Sequence, residues 1–183
     1  MRLLLHICCG PCSIYPFEVL REEGFSAIEG FFYDPNIHPY AEYMARKAAV
    51  QEYSRRNKLR VFFHKYDMKN FFRNVCGHEE FGARCEICWR MRIDETARFA
   101  SQNGYTHFTT TLLISPYQDQ KAIKRIAEDA AKKYGVDFVT RDFRNGFRTS
   151  QDKAKEEGMY RQKYCGCLFS EQERHEKVTK RVK

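Results

Sequence analysis

Eight cysteines in 183 residues fall into a pattern. Cys8, Cys9 and Cys12 sit in "HICCGPCS", Cys85 and Cys88 in "RCEICWR", Cys165 and Cys167 in "YCGC", and Cys76 stands alone in "NVCGHEE". Cys85 and Cys88 are three apart at the start of a predicted helix, so both thiolates project from one face while the helix amino end favours negative charge. That suits a metal ion or an anionic cluster. The two-residue spacer also suits structural zinc, but a four-cysteine zinc site pairs two such spacers, and neither "CCGPC" nor "CGC" supplies the second. An iron–sulfur cluster is the better match to such a thiol set. A disulfide closed across the single residue of "CGC" makes a small, strained and easily reduced ring. Cys165 and Cys167 can therefore cycle between dithiol and disulfide and deliver two electrons, or together hold one extra metal ion. Cys76 lies outside every group, at a predicted helix end, and reads as a packing thiol.

The elements that must position these groups alternate in character along the chain. Apolar runs at 2–7, 26–34, 60–67, 107–115 and 136–143 predict strands, and helical spacing predicts helices over 39–56, 85–104 and 122–135. That order is expected of an α/β fold, here a doubly wound, mostly parallel five-stranded sheet with a helical C-terminal segment. Residues 1–183 are expected to form a single domain, large enough to bury a core without covalent staples. Parallel sheets bind ligands beyond the carboxyl ends of their strands. Cys8 and Cys9 end the first strand, Asp34 the second, Asp67 the third, Ser115 the fourth and Asp142 the fifth, so one rim is expected to collect thiols and carboxylates. Asp34, His38 and Tyr40 are the candidate proton donors near the second strand's end.

Composition narrows the setting. No segment approaches about 20 apolar residues, and the amino terminus lacks a basic region followed by a long apolar stretch. A cytoplasmic protein with no membrane partner is the expectation, in a compartment that keeps thiols reduced. The formal net charge is +8, and residues 144–183 carry eleven Lys or Arg against six Asp or Glu. That segment suits a polyanion or a solvated helical face equally. Within it Phe147, Arg148, Tyr160, Arg161, Lys163 and Tyr164 interleave ring and charge up to the "CGC" pair. Such interleaving suits the splayed bases of an RNA loop, and core packing is the competing role for Phe147.

Taken together, "HICCGPCS", "FFYDPNIHPYAEY", "RCEICWRMR" and "YRQKYCGCLFS" resemble one family, the cobalamin-independent epoxyqueuosine reductases (QueH), over nearly the whole chain. The resemblance implies an adenine-nucleotide-hydrolase-like (HUP-like) α/β fold. It implies an iron–sulfur enzyme that removes the epoxide oxygen from epoxyqueuosine at the wobble position of tRNA, fed by an electron donor still to be identified. It further implies a [4Fe-4S] site made by Cys8, Cys9, Cys85 and Cys88, with Cys165 and Cys167 as a redox-active pair. Spacing alone leaves Cys9 and Cys12 open as alternative fourth ligands. Cys12 and Asp34 are candidate ligands of an additional mononuclear iron, because thiolate and carboxylate around an open position suit a substrate oxygen. Arg148, Tyr160, Arg161, Lys163 and Tyr164 are the expected tRNA contacts. Two rival readings are an iron–sulfur tRNA sulfurtransferase and a non-catalytic, zinc-stabilised RNA-binding module. The first needs a Gly- and Ser-rich phosphate loop after the first strand, and "CCGPCS" has one glycine and a proline that removes a backbone N–H.

Overall fold

The computed structural model describes residues 1–25 and 27–182, and side chains as far as Lys177. Ser26, expected to open the second strand, and the last residue of the basic segment lie outside the described residues. Five strands form one parallel sheet: β1 (Arg2–His6), β2 (Ala27–Phe32), β3 (Val61–Phe63), β4 (His107–Thr110) and β5 (Asp137–Phe138), in the order β3-β2-β1-β4-β5. The register pairs Leu4 of β1 with Glu29 on one side and Phe108 on the other. Leu3, Leu4 and Leu5 are wholly buried, as a central strand covered on both faces requires. Strand order reverses beside β1, so the carboxyl end of β1 is the switch point where such sheets bind ligands.

Among the described residues there are seven helices: α1 (Gly10–Glu22), α2 (Tyr40–Arg56), α3 (Met68–Val75), α4 (Ala83–Gln102), α5 (Gln120–Tyr134), α6 (Phe147–Glu156) and α7 (Leu168–Val182). α1 packs with α2 and α6, and α4 packs with α3 and α5. The expected helices over 39–56, 85–104 and 122–135 correspond to α2, α4 and α5. Asp119 caps α5 by accepting from the amides of Lys121 and Ala122, and Gly135 ends it at φ +66°. α1 was not expected, although Pro11 in its first turn is a recognised start signal.

Several strands are shorter than the apolar runs that predicted them. The fourth stops at Thr110, whose hydroxyl accepts the Leu112 amide and turns Thr111–Ile114 into a 3-10 helix. Ser115 therefore follows that turn and does not end a strand. Asp67 caps α3 through the Asn70 amide, and Asp142 pairs with Arg144 on the surface, which pulls its carboxyl down to about 2. Local capping and pairing claim both, and neither lines the cavity at the sheet's carboxyl edge.

Candidate functional site: a thiol-lined cavity

Beyond the end of β1 lies a cavity of about 840 Å³, lined by Cys8, Cys12, Cys85, Cys88, Cys165 and Cys167. The first group is held by the sheet itself. Ile7 continues the ladder by donating to the Phe31 carbonyl, and the chain then turns at Cys9 into α1. The turn needs a close approach at Gly10, where a Cβ would lie 2.7 Å from the Met159 sulfur and 3.2 Å from the Ala49 carbonyl. The result brings the sulfurs of Cys8, Cys9 and Cys12 within 4.8 Å of one another. Cys8 is fixed further by Thr111, whose hydroxyl accepts the Cys8 amide at 3.0 Å and donates to its sulfur at 3.2 Å.

Charge is not shared evenly in this triad. Hydrogen bonds with Cys12 and Cys9 hold the Cys8 thiol well below the usual range. Burial pushes Cys9 up, and the hydrogen bond with Cys8 pushes Cys12 up. Negative charge in the triad is thus favoured at Cys8, and binding a metal would displace the remaining thiol protons. Burial likewise pushes Cys88 up to about 12 and raises Cys85, both on the first two turns of α4.

Two buried arginines, absent from the sequence-based candidates, set the charge of this region. Arg92, one turn beyond Cys88 on α4, is 3% exposed; it pairs with the Asp34 carboxylate and reaches within 3.9 Å of the Cys88 sulfur. Asp34 is itself buried, and desolvation lifts its carboxyl to about 7 against the pull of Arg92. His6 lies 3.8 Å from Asp34 and bonds Thr110 at 2.8 Å; burial, assisted by Arg92, lowers it to about 3, so it is neutral. The contact with Asp34 is therefore not an ion pair between charged partners.

Arg46 does a different task for the late cysteines. Wholly buried on α2, it donates to the carbonyls of Cys165 (2.9 Å) and Tyr164 (3.0 Å) while Glu42 holds its Nε at 2.7 Å. The Gly166 carbonyl accepts the His38 amide at 2.8 Å, and the Tyr164 hydroxyl donates to the His38 carbonyl. Gly166 has φ +150°, and a Cβ there would meet the Asn36 amide nitrogen at 2.9 Å, so this position requires glycine. Residues 160–167 form a strap tied across α2. Cys167 is buried, Cys165 is the exposed member, and the two sulfurs are not joined.

Two glutamines reach the sulfurs. Gln162 donates to Cys9 at 3.0 Å, leaving its buried Oε1 without a partner beside the cavity. Gln118 accepts the Trp89 indole N–H at 2.6 Å, which turns its amide nitrogen to within 3.6 Å of Cys165. A polar residue beside a cysteine motif is too weak a sequence signal to have found either.

The proton-donor candidates do not gather at the cavity. His38 is buried with its ring stacked on Phe72, and burial lowers it to about 4. Tyr40 is exposed at the start of α2, stacked on Tyr43. Asp34 lies outside the cavity lining, paired with Arg92, which belongs to it. Among the expected RNA contacts, Lys163 and Tyr164 border the cavity, Arg148 and Arg161 face solvent, and the Tyr160 hydroxyl is engaged by Glu42. Of these residues, only Lys163 and Tyr164 thus meet the cavity, and Tyr160 stays exposed. Cys76 ends α3, exposed and apart from the cavity lining.

Fold and site together define an α/β protein whose switch-point cavity carries a thiol set with metal-ligand spacing, and no helix among the described residues is long and apolar enough to cross a membrane. The family model described as "Epoxyqueuosine reductase QueH" matches residues 3–173. Curated relatives of that name include one from Dehalococcoides mccartyi, 38% identical over 174 residues and 94% of each chain. Another, from Thermotoga maritima, is 36% identical over 96% of this chain and 93% of its own. The chain belongs to the epoxyqueuosine reductase QueH family. Its fold is also similar to a solved structure titled as a predicted subunit of a tRNA methyltransferase from Methanocaldococcus jannaschii, with TM-score 0.58 and 12% identity over 85% of this chain and 75% of that one.

Proposed function

We propose that this protein deoxygenates epoxyqueuosine in the wobble position of tRNA to queuosine, in the cytoplasm, using a [4Fe-4S] cluster held by Cys8, Cys9, Cys85 and Cys88 and the Cys165/Cys167 dithiol. The observation that carries this reading is the convergence of six thiols, from three distant segments, on one cavity at the switch point. The donor set fits such a group: the sulfurs of Cys8 and Cys9 lie, with that of Cys12, within 4.8 Å of one another, Cys85 and Cys88 line the same cavity as Cys8, and the guanidinium of Arg92 stands among thiols whose ionisation a cluster requires. When bound, the cluster would relay the dithiol's two electrons one at a time, and an additional iron at Cys12 and Asp34 would polarise the oxygen. That second role requires the Asp34 carboxylate to exchange Arg92 for the metal.

The residues of the chain account for the rest. Turning an epoxide into an alkene breaks two C–O bonds and takes two electrons and two protons, with the oxygen leaving as water. A Cys165/Cys167 dithiol closing to a disulfide provides both electrons and both protons, and an external donor, not yet identified, restores it. Gln118 and Arg46 fix Cys165 toward the cavity, and the cavity volume suits a flipped nucleoside. Arg148, Tyr160, Arg161, Lys163 and Tyr164 are proposed as tRNA contacts, with the cations meeting phosphate.

The test is anaerobic purification followed by iron and sulfide analysis, and turnover of epoxyqueuosine-containing tRNA with dithionite. About four irons or more with acid-labile sulfide, and formation of queuosine, are expected. Stoichiometric zinc without colour would favour the RNA-binding module and sink the proposal.

A further inference from the structure

The turn between the 3-10 helix after β4 and α5, residues 115–119, reads Ser-Pro-Tyr-Gln-Asp. The Tyr117 amide donates to the Ser115 hydroxyl at 3.3 Å, and the Gln118 amide to the Ser115 carbonyl at 3.4 Å. The turn lifts the Tyr117 ring away from the core. It is 81% exposed, the most exposed large hydrophobic side chain among the described residues, and it borders the thiol-lined cavity.

A single exposed ring needs no explanation in general. Three neighbours make this one different. Gln118, the next residue, is the one held by Trp89 with its amide at the Cys165 sulfur, so the turn joins the reactive pair to the cavity mouth in one residue step. Phe147 meets Tyr117 edge-on, with centroids 6.0 Å apart and planes at 85°, which leaves the opposite face of the tyrosine open. Lys163 borders the same cavity, and Arg148, beside Phe147 in sequence, has a side chain 94% exposed. An exposed aromatic face with an aromatic neighbour and nearby cations matches the way proteins hold unstacked bases of single-stranded RNA.

We infer that Tyr117 is a stacking site for the nucleobase next to the one that enters the cavity, holding the anticodon loop open while the modified base reaches Cys165. The inference rests on tRNA being the substrate. It assigns base stacking to a residue outside the basic C-terminal segment and leaves phosphate contact to that segment. The two contributions differ in what they answer to: stacking follows the presence of the neighbouring base, and phosphate contact follows salt.

The experiment measures binding of an epoxyqueuosine-containing anticodon stem-loop to anaerobically prepared protein by fluorescence anisotropy, with turnover by dithionite in parallel. Tyr117→Ala is expected to weaken binding about tenfold, the range for one base on one ring, with unchanged iron content. Tyr117→Phe recovers most of the binding. An abasic substitution on one side of the modified nucleotide weakens binding to the parent protein by a similar factor, and adds little when combined with Tyr117→Ala. Lys163→Gln lowers the slope of binding against log salt by about one, and Tyr117→Ala leaves that slope unchanged. If Tyr117→Ala binds within twofold of a parent that deoxygenates the stem-loop, the stacking site is wrong and the reductase reading stands. If the parent leaves the epoxide intact while Tyr117→Ala still weakens binding, the stacking site stands and the reductase reading is wrong.

Discussion

Two of the three cysteine groups gathered at the cavity are built in opposite ways. Cys8, Cys9 and Cys12 continue the central strand of the sheet into the first turn of α1, so their positions follow from the most buried part of the molecule. Cys165 and Cys167 sit on an irregular strap whose place is set from outside by Arg46, the His38 amide and the conformation of Gly166. A site made of one fixed wall and one tied wall separates two demands. Holding a cluster needs unchanging geometry, and a dithiol that opens and closes needs room to move. The fixed wall is costly to disturb, and the tied wall is open to single substitutions.

The largest effects should fall where thiols meet the proposed cluster. Cys85→Ser and Cys88→Ser are expected to lose both the cluster's visible absorption and deoxygenation, because one missing thiolate exposes an iron to solvent and oxygen. Cys165→Ser and Cys167→Ser are expected to abolish deoxygenation yet keep most of the absorption. The comparison breaks if either strap variant is colourless while Cys8→Ser stays brown. The strap would then ligate the cluster and the strand end would not.

Next comes the tie itself. Arg46→Met removes the donors to the Cys165 and Tyr164 carbonyls and leaves Glu42 without its buried partner. Turnover is expected to fall about 100-fold, the scale of an ångström-sized misplacement of a reacting group, with iron content retained. Loss of iron in this variant would show that strap and cluster form one unit.

Arg46 also shows what the sequence left illegible. The strands, the helices α2, α4 and α5 and the cysteine groups are local patterns, readable from periodicity and spacing. The partners of Arg46 lie 118 and 119 residues away, and Arg92 meets Asp34 from a different element, so neither role leaves a local trace. The reverse error has the same origin. Asp67 and Asp142 follow apolar runs as Asp34 does, but a helix cap and a surface arginine take them, and only the packing of α4 against β2 sets Asp34 apart.

A smaller effect separates the walls by pH. In metal-free protein, burial lowers His6, beneath the triad, to about 3 and His38, beneath the strap, to about 4. Both are neutral when folded, and both take up a proton on unfolding below their ordinary value of about 6.5. Their contribution to stability is present above that value and is lost as the pH falls through it toward 4. Asp34 has the opposite sign: its carboxyl, pushed up to about 7, is protonated in the folded protein at pH 5 and ionises on unfolding. At pH 5 the three groups together should therefore take up about one proton on unfolding, and about two in Asp34→Asn. Urea midpoints between pH 7 and 4.5 measure this slope. An Asp34→Asn slope no steeper than the parent's would mean that Arg92 keeps the carboxylate ionised throughout.

The smallest effect is expected at Cys76, and it tests whether position or residue type governs the site. Cys76 has the same thiol as the other seven, but it ends α3, outside the cavity lining and exposed to solvent. The Val75 side chain beside it is buried, so the helix end is anchored by that neighbour and by the Cys76 amide on the Phe72 carbonyl, not by the sulfur. Cys76→Ser keeps the amide, replaces sulfur by oxygen at a hydrated position, and should change stability by less than about 0.5 kcal/mol. Absorption, iron content and turnover should match the parent within error. A fall in iron content would mean that the loop after α3 closes on the cavity when metal binds, and adds a side beyond the three segments that carry the six thiols.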